Sequence, residues 1–180
     1  MTAAAATPRR PARAVRTASP RGLHRAPEVR TLHVVDLENL MGDVRTGDDA
    51  AQVWDTYSAA LGVDRMHHVI VGSGPSLAAV AWFRLPHQGI RRVLGHGVNG
   101  GDLALLAEMA DAELTTRAYQ RLVIASGDGI FTAAAHRFRT AGLHVVQVVG
   151  RGRPHPNLAQ ACDEQVHLLL PPSPSAAPSA

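Results

Sequence analysis

The chain has 180 residues, 46% of them hydrophobic, a formal net charge of +3 and a single cysteine. That length supports one compact core and is short for two, while one cysteine excludes an internal disulfide framework or a cysteine-based zinc site. All 18 basic residues are arginine, and Arg9, Arg10, Arg13, Arg16, Arg21, Arg25 and Arg30 face only Glu28 in the first thirty positions, so the positive charge belongs to the tail and the rest is mildly acidic.

Residues 1–30 therefore read as a disordered, arginine-rich tail able to touch an anionic polymer without sequence preference. A gene rich in Ala, Pro and Arg codons accounts for the same tail with no partner at all. Pro8, Pro11 and Pro20 would interrupt the amphipathic helix of an organellar transit peptide, and the start lacks the apolar stretch of a secretory signal. No run approaches the ~20 apolar residues that span a bilayer. With its lone Cys162, the chain is expected in a reducing, cytoplasmic compartment and away from membranes.

From Thr31 the pattern changes. TLHVVDL predicts a buried strand, a helix follows near residues 48 to 61, and HHVIVG from His67 predicts the second strand. SLAAVAWFRL from Ser76 is helical by pattern, RRVLG from Arg91 is a third strand, and DLALLAEMADAEL from Asp102 is the clearest helix, with Leu103, Leu106, Ala107 and Ala110 at i, i+3, i+4 and i+7. QRLVIASGD from Gln120, LHVVQVVG from Leu143 and QVHLLL near the end supply further strands, with helix FTAAAHRFRTAG from Phe131 stopped at Gly142. Strands alternating with helices predict an α/β domain over residues 31–170, a three-layer α/β/α sandwich around a mainly parallel sheet of five to six strands. Residues 171–180 are expected to be a disordered Pro/Ser/Ala tail.

Three acids fall at the boundaries of these elements. Asp36 ends the first strand within DLEN, Asp102 follows Gly100 and Gly101 at a helix start, and Asp128 ends the fourth strand inside SGDGIF. Each has an ordinary account, because Asp turns the chain after strands and caps helix starts. In an open parallel sheet, however, the C-terminal strand ends share one edge, so these carboxylates can meet. Two unit charges ~4 Å apart repel by about 4 kcal/mol at an effective dielectric of 20. A cation removes that conflict, and oxygen-only ligands suit Mg²⁺ or Mn²⁺. The matching chemistry is metal-assisted phosphodiester hydrolysis.

DLEN, NGGDLALLAEMAD and VIASGDGIFTAAAHRFRTAGLHVVQVVG together resemble the NYN domain, a branch of the PIN-like metal-dependent ribonucleases, over nearly all of residues 31–170. The resemblance implies a PIN-like fold and a metal-dependent endoribonuclease acting on single-stranded or structured RNA. It sets Asp36 and Asn39 at the first-strand acid and asparagine, Asp102 at the helix-start acid, and Ser126 with Asp128 at the serine and first acid of an SGDSDF-like motif. Asp36, Asp102 and Asp128 would then hold the metal, with Asn39 and Ser126 orienting groups by hydrogen bonding. Ile130 stands where that motif carries a second acid, which makes a catalytically degenerate RNA-binding or regulatory domain the first alternative. Glu38, Asp43 and Asp163 are candidates to replace the missing carboxylate.

Other signals compete. GHGVNG at Gly95 to Gly100 matches G-x-G-x-x-G and offers a nucleotide-binding domain as a second alternative, but it follows the third strand, and no acid ends the next strand at ribose-partner distance. VGSGPS from Val71 reads as an ordinary strand-to-helix turn, with phosphate contact the alternative. His67 and His68 point to opposite faces and chelate poorly. Arg151 and Arg153 fall where RNA phosphates could be gripped, and a solvated loop accounts for them equally well. Trp54, Tyr57, Trp82, Phe83, Tyr119, Phe131 and Phe138 read as core, leaving no base-stacking platform, and a homodimer is an allowed assembly.

Overall fold

The computed structural model describes the backbone of residues 15–18 and residues 29–43, 46–64 and 67–171. Thr31–Asp36 forms strand β2, followed by α1 (Leu37–Met41), α2 (Gly47–Leu61), β3 (His68–Ser73), α3 (Pro75–Ala81) and β4 (Ile90–Leu94). Next come α4 (Gly100–Glu108), α5 (Ala112–Ala118), β5 (Arg121–Ala125), a 3₁₀ turn at Gly129–Phe131, α6 (Thr132–Thr140), β6 (His144–Val149), α7 (Pro156–Ala161) and β7 (Glu164–Leu168). These six strands pair in parallel in the order β7-β6-β5-β2-β3-β4. This is an α/β sandwich of three layers. Among the described residues no helix is long and apolar enough to cross a membrane.

Alternation along the strands builds two cores. Val35, Val71, Val123 and Val148 turn toward α1, α2 and α3, burying Leu40, Tyr57 and Leu77. Val34, Ile70, Ile124 and Val145 turn the other way, onto Leu105 of α4, Phe138 of α6 and Leu158 of α7. A fully buried aliphatic or Phe side chain contributes roughly 1.5–3 kcal/mol. Burial on both faces is why the strands read as continuous apolar runs rather than as alternating ones.

Five local expectations are corrected. Val15–Ala18, inside the segment expected to be disordered, is strand β1, parallel to β7. An open sheet edge offers unpaired N–H and C=O groups that an extended segment satisfies with its backbone alone. The rest of residues 1–28, and residues 172–180 of the expected C-terminal tail, lie outside the described residues. Leu37, expected to continue the first strand, starts α1, because the Asp36 carboxylate accepts from Asn39 N at 3.1 Å and turns the chain into a helix at once. The long helix expected from Asp102 is two: α4 stops at Glu108, and Asp111 caps α5 by accepting from Leu114 N at 2.8 Å. The helix expected through Leu85 ends at Ala81. Pro156 starts α7 in a stretch read as loop, as proline does in a first helical turn.

Candidate functional site

Strand β2 pairs with β3 on one side and β5 on the other, and the chain leaves β2 toward one face and β5 toward the opposite face. Their carboxyl ends flank the crevice where open α/β sheets bind ligands. Asp36 ends β2 there, and Ser126 and Asp128 follow β5. Asp36 is 6% exposed. Ser126, fully buried, donates to Asp36 Oδ2 at 2.8 Å and accepts from Asp128 N at 3.0 Å. Behind it, Gln147 Nε2 donates to the Ser126 carbonyl at 3.0 Å, and Gln165 Nε2 donates to Gln147 Oε1 at 2.9 Å. A buried polar chain satisfied at each link holds Ser126 in one orientation.

Asp102 reaches the crevice from α4. Its route depends on glycine, because a Cβ at Gly72 would overlap the Leu105 side chain and one at Gly95 would overlap the Gly100 backbone. A Cβ at Gly101 would press to 3.2 Å on the Ser73 backbone. Helix and strand ends therefore approach backbone to backbone. Two of the glycines that mimic a dinucleotide fingerprint, Gly95 and Gly100, are spent on this contact, and β2, the strand at the switch point, runs into α1 through Asp36 with no glycine loop.

The acids then interact. Asp102 and Asp36 share a side-chain hydrogen bond. Burial, first, and then the charges of Asp36, Asp128 and Glu38 push Asp102 up to about 7. Burial also raises Asp36, opposed by its bonds to Asn39 N, Ser126 and Asp102. Two of the three acids keep an ordinary turn job: Asp36 caps α1, and Asp128 Oδ1 accepts from Ile130 N at 2.9 Å. Asp102 does not cap, since the N-cap of α4 is Asn99 at a left-handed φ of 54°, and its ordinary role is that of a first-turn acid beside the helix dipole.

The other sequence candidates sort by place. Asn39 acts as a clamp, its Oδ1 accepting from Gly127 N at 2.7 Å and its carbonyl from Gly152 N at 2.9 Å. Ile130 packs on the second core. Glu38 lies at the crevice, where a Cβ on Gly74 would come within 3.2 Å of its Oε1. Asp163 sits at the opposite sheet edge, accepting from Val145 N at the start of β6, and Asp43 is exposed beyond α1. Asp163 is thereby held away from the missing acid's place. Arg151 donates to the Pro171 carbonyl at 2.9 Å, while exposed Arg153 lies beside Gly127. His67 stacks on His33 and His68 bonds to Tyr119 instead, so the two do diverge.

Sequence reasoning missed two features. His155 lies against Gly129, where an added Cβ would stand 2.9 Å from the ring, so an imidazole borders the Asp128 turn. No spacing pattern announces it. Phe83, read as core, is 77% exposed, because α3 ends before it and the ring leaves the buried helix face.

Among the described residues no group of three or more Asp, Glu, His or Cys side chains is arranged to hold a metal ion as it stands. Asp36 and Asp102 instead relieve their repulsion through the shared hydrogen bond. The side chains there are oxygen donors with no sulfur, the chemistry that hard divalent cations take.

The comparisons with known proteins bear on the fold. No protein-family model matches the sequence, and no curated protein does. A crystal structure of a protein of unknown function from Vibrio parahaemolyticus RIMD 2210633 shares the fold, with a TM-score of 0.52 and 16% identity over 80% of this chain and 96% of that one. At that identity the likeness concerns the path of the backbone alone.

Proposed function

We propose that the protein is a metal-dependent ribonuclease of the PIN-like type, hydrolysing RNA phosphodiester bonds at Asp36, Asp102 and Asp128 with Mg²⁺ or Mn²⁺. The observation that carries this reading is Asp102. It is a carboxylate that does not cap its helix, brought by tight glycine contacts into a partly buried place beside other acids, and burial first and those charges second raise its pKa to about 7. Folding alone gains nothing from that repulsion, and perturbed acids of this kind concentrate at functional sites.

Asp36, Asp102 and Asp128 would hold the cation, with Glu38 beside them. Such a cation, when bound, polarises a phosphodiester and lowers the pKa of its water toward neutrality. Ser126 fixes the Asp36 carboxylate, and Asn39 fixes the turn that carries Asp128. Asp102 is the group whose proton must leave before a cation binds, so Mn²⁺ affinity should rise with pH through about 7. Arg153 would meet the RNA backbone without reading sequence.

The test is cleavage of RNA by the purified full chain with Mg²⁺ or Mn²⁺, together with its loss in Asp102→Asn and Asp128→Asn. No cleavage of varied RNAs under either metal would leave the second reading, a noncatalytic RNA-binding domain. That reading is favoured by apolar Ile130 at the second-acid position and by the lack of a ready-made three-ligand arrangement among the described residues. It requires RNA binding that survives chelation and both substitutions.

A further inference from the structure

We propose that the cleft between α3 and β4 holds an unpaired base of single-stranded RNA beside the acidic crevice, an inference that rests on reading that crevice as an RNA site. The cleft measures about 500 Å³ and is lined by Pro75, Trp82, Phe83, His87, Arg92 and Leu94 among others. Ligand clefts span roughly 300–1,000 Å³. Phe83 is 77% exposed and Leu94 41%, so this wall leaves aromatic and aliphatic surface without a partner.

Its charge selects the occupant. Arg92 Nη2 donates to the carbonyls of Pro86, Leu85 and Trp82 at 2.6, 3.3 and 3.5 Å, which ties the turn after α3 to β4 and fixes the cleft wall. These acceptors are neutral, and among the described residues no carboxylate forms an ion pair with Arg92. A guanidinium charge beside two aromatic rings suits a ligand with a π-face and a phosphate. Nucleotides in single strands have both, whereas a duplex keeps its bases stacked inside.

Position supplies the link to the acids. Pro75 follows Gly74, which lies against Glu38, and Leu94 pairs with Ser73, on whose backbone Gly101 packs one residue before Asp102. Pro75 and Leu94 thus put one end of the cleft at the carboxyl ends of β3 and β4, the end of the sheet at which Asp36 and Asp102 stand.

The experiment measures anisotropy of a short fluorescein-labelled oligoadenylate, the same oligomer with abasic positions, and a blunt RNA duplex, against the full chain in chelator. Phe83→Ala should bind the intact oligomer about fivefold to a hundredfold more weakly, the range of losing one base–aromatic stack. Phe83→Tyr should restore binding and Phe83→Leu should not, while the abasic oligomer and the duplex should not distinguish the variants. Equal binding by wild type and Phe83→Ala, or equal losses on oligomer and duplex, overturns the cleft proposal. So does a native dimer that Phe83→Ala converts to monomer in sedimentation, since the cleft would then be covered by a second copy. Mn²⁺-dependent cleavage, assayed in parallel, separates the two readings: cleavage with Phe83-independent binding ends the cleft proposal alone, and Phe83-dependent binding without cleavage ends the nuclease reading alone.

Discussion

Asp102 and His33 are opposite cases of a titratable group displaced from water, and they pull the pH dependence of stability in opposite directions. Asp102 holds its proton longer folded than unfolded, so its contribution is largest at low pH and is lost as pH rises from about 4 to about 7. Asp102→Asn should flatten that limb in chemical unfolding curves across this range. His33 is buried between Tyr57 Oη at 2.6 Å and His67 Nδ1 at 3.0 Å, and burial, with the charges of His67 and Arg121, holds it well below the usual imidazole range. Its contribution is complete above about pH 6.5 and is lost below it, where the unfolded chain takes up the proton. Tyr57→Phe removes a partner from that buried ring and should cost about 1–3 kcal/mol in urea unfolding. Ser126 touches two acids without being one. Ser126→Ala should lower Mn²⁺ affinity or cleavage about 10–100-fold, read by calorimetry and by RNA turnover.

At the scale of elements, the contact of α4 with the end of β3 decides whether the acids meet. Gly72→Ala puts a methyl group into Leu105, so it should cost about 1–3 kcal/mol in thermal or chemical unfolding. It should also move Asp102 from Asp36 and weaken any thermal stabilisation by Mn²⁺; a variant as responsive as wild type would sever the link drawn between packing and the acid cluster. The strands were legible because both sheet faces are covered, making each an apolar run bounded by turn residues. Break points inside helical stretches were less so. Asp111 resembles any polar helix residue until its side chain turns onto Leu114 N, and α1 is too short to display a period. Trp82 and Phe83 continue an amphipathic pattern on paper, but α3 stops at Ala81 and releases the second ring to solvent.

For the whole molecule, β1 covers one edge of the sheet by pairing with β7. Because Val15–Ala18 pairs with β7, deleting residues 1–18 should expose a row of unpaired backbone groups and produce concentration-dependent association in light scattering. Deleting residues 1–30 removes the arginine arm as well and should flatten the salt dependence of RNA binding, by roughly 0.7 in log–log slope for each RNA phosphate that the arm neutralises. An unchanged slope would make the arm a matter of composition. The linear chain by itself determined the α/β alternation, the parallel sheet and the boundary positions of Asp36, Asp102 and Asp128, because burial and turn chemistry act over a few residues. Which of those acids touch was decided by tertiary structure alone: the Asp36–Asp102 hydrogen bond depends on strand order and on glycine contacts between segments far apart in sequence. The same holds for the exclusion of Asp163, the approach of Glu38 and the cleft at Phe83, since local pattern carries no information about which distant surfaces the fold will bring together.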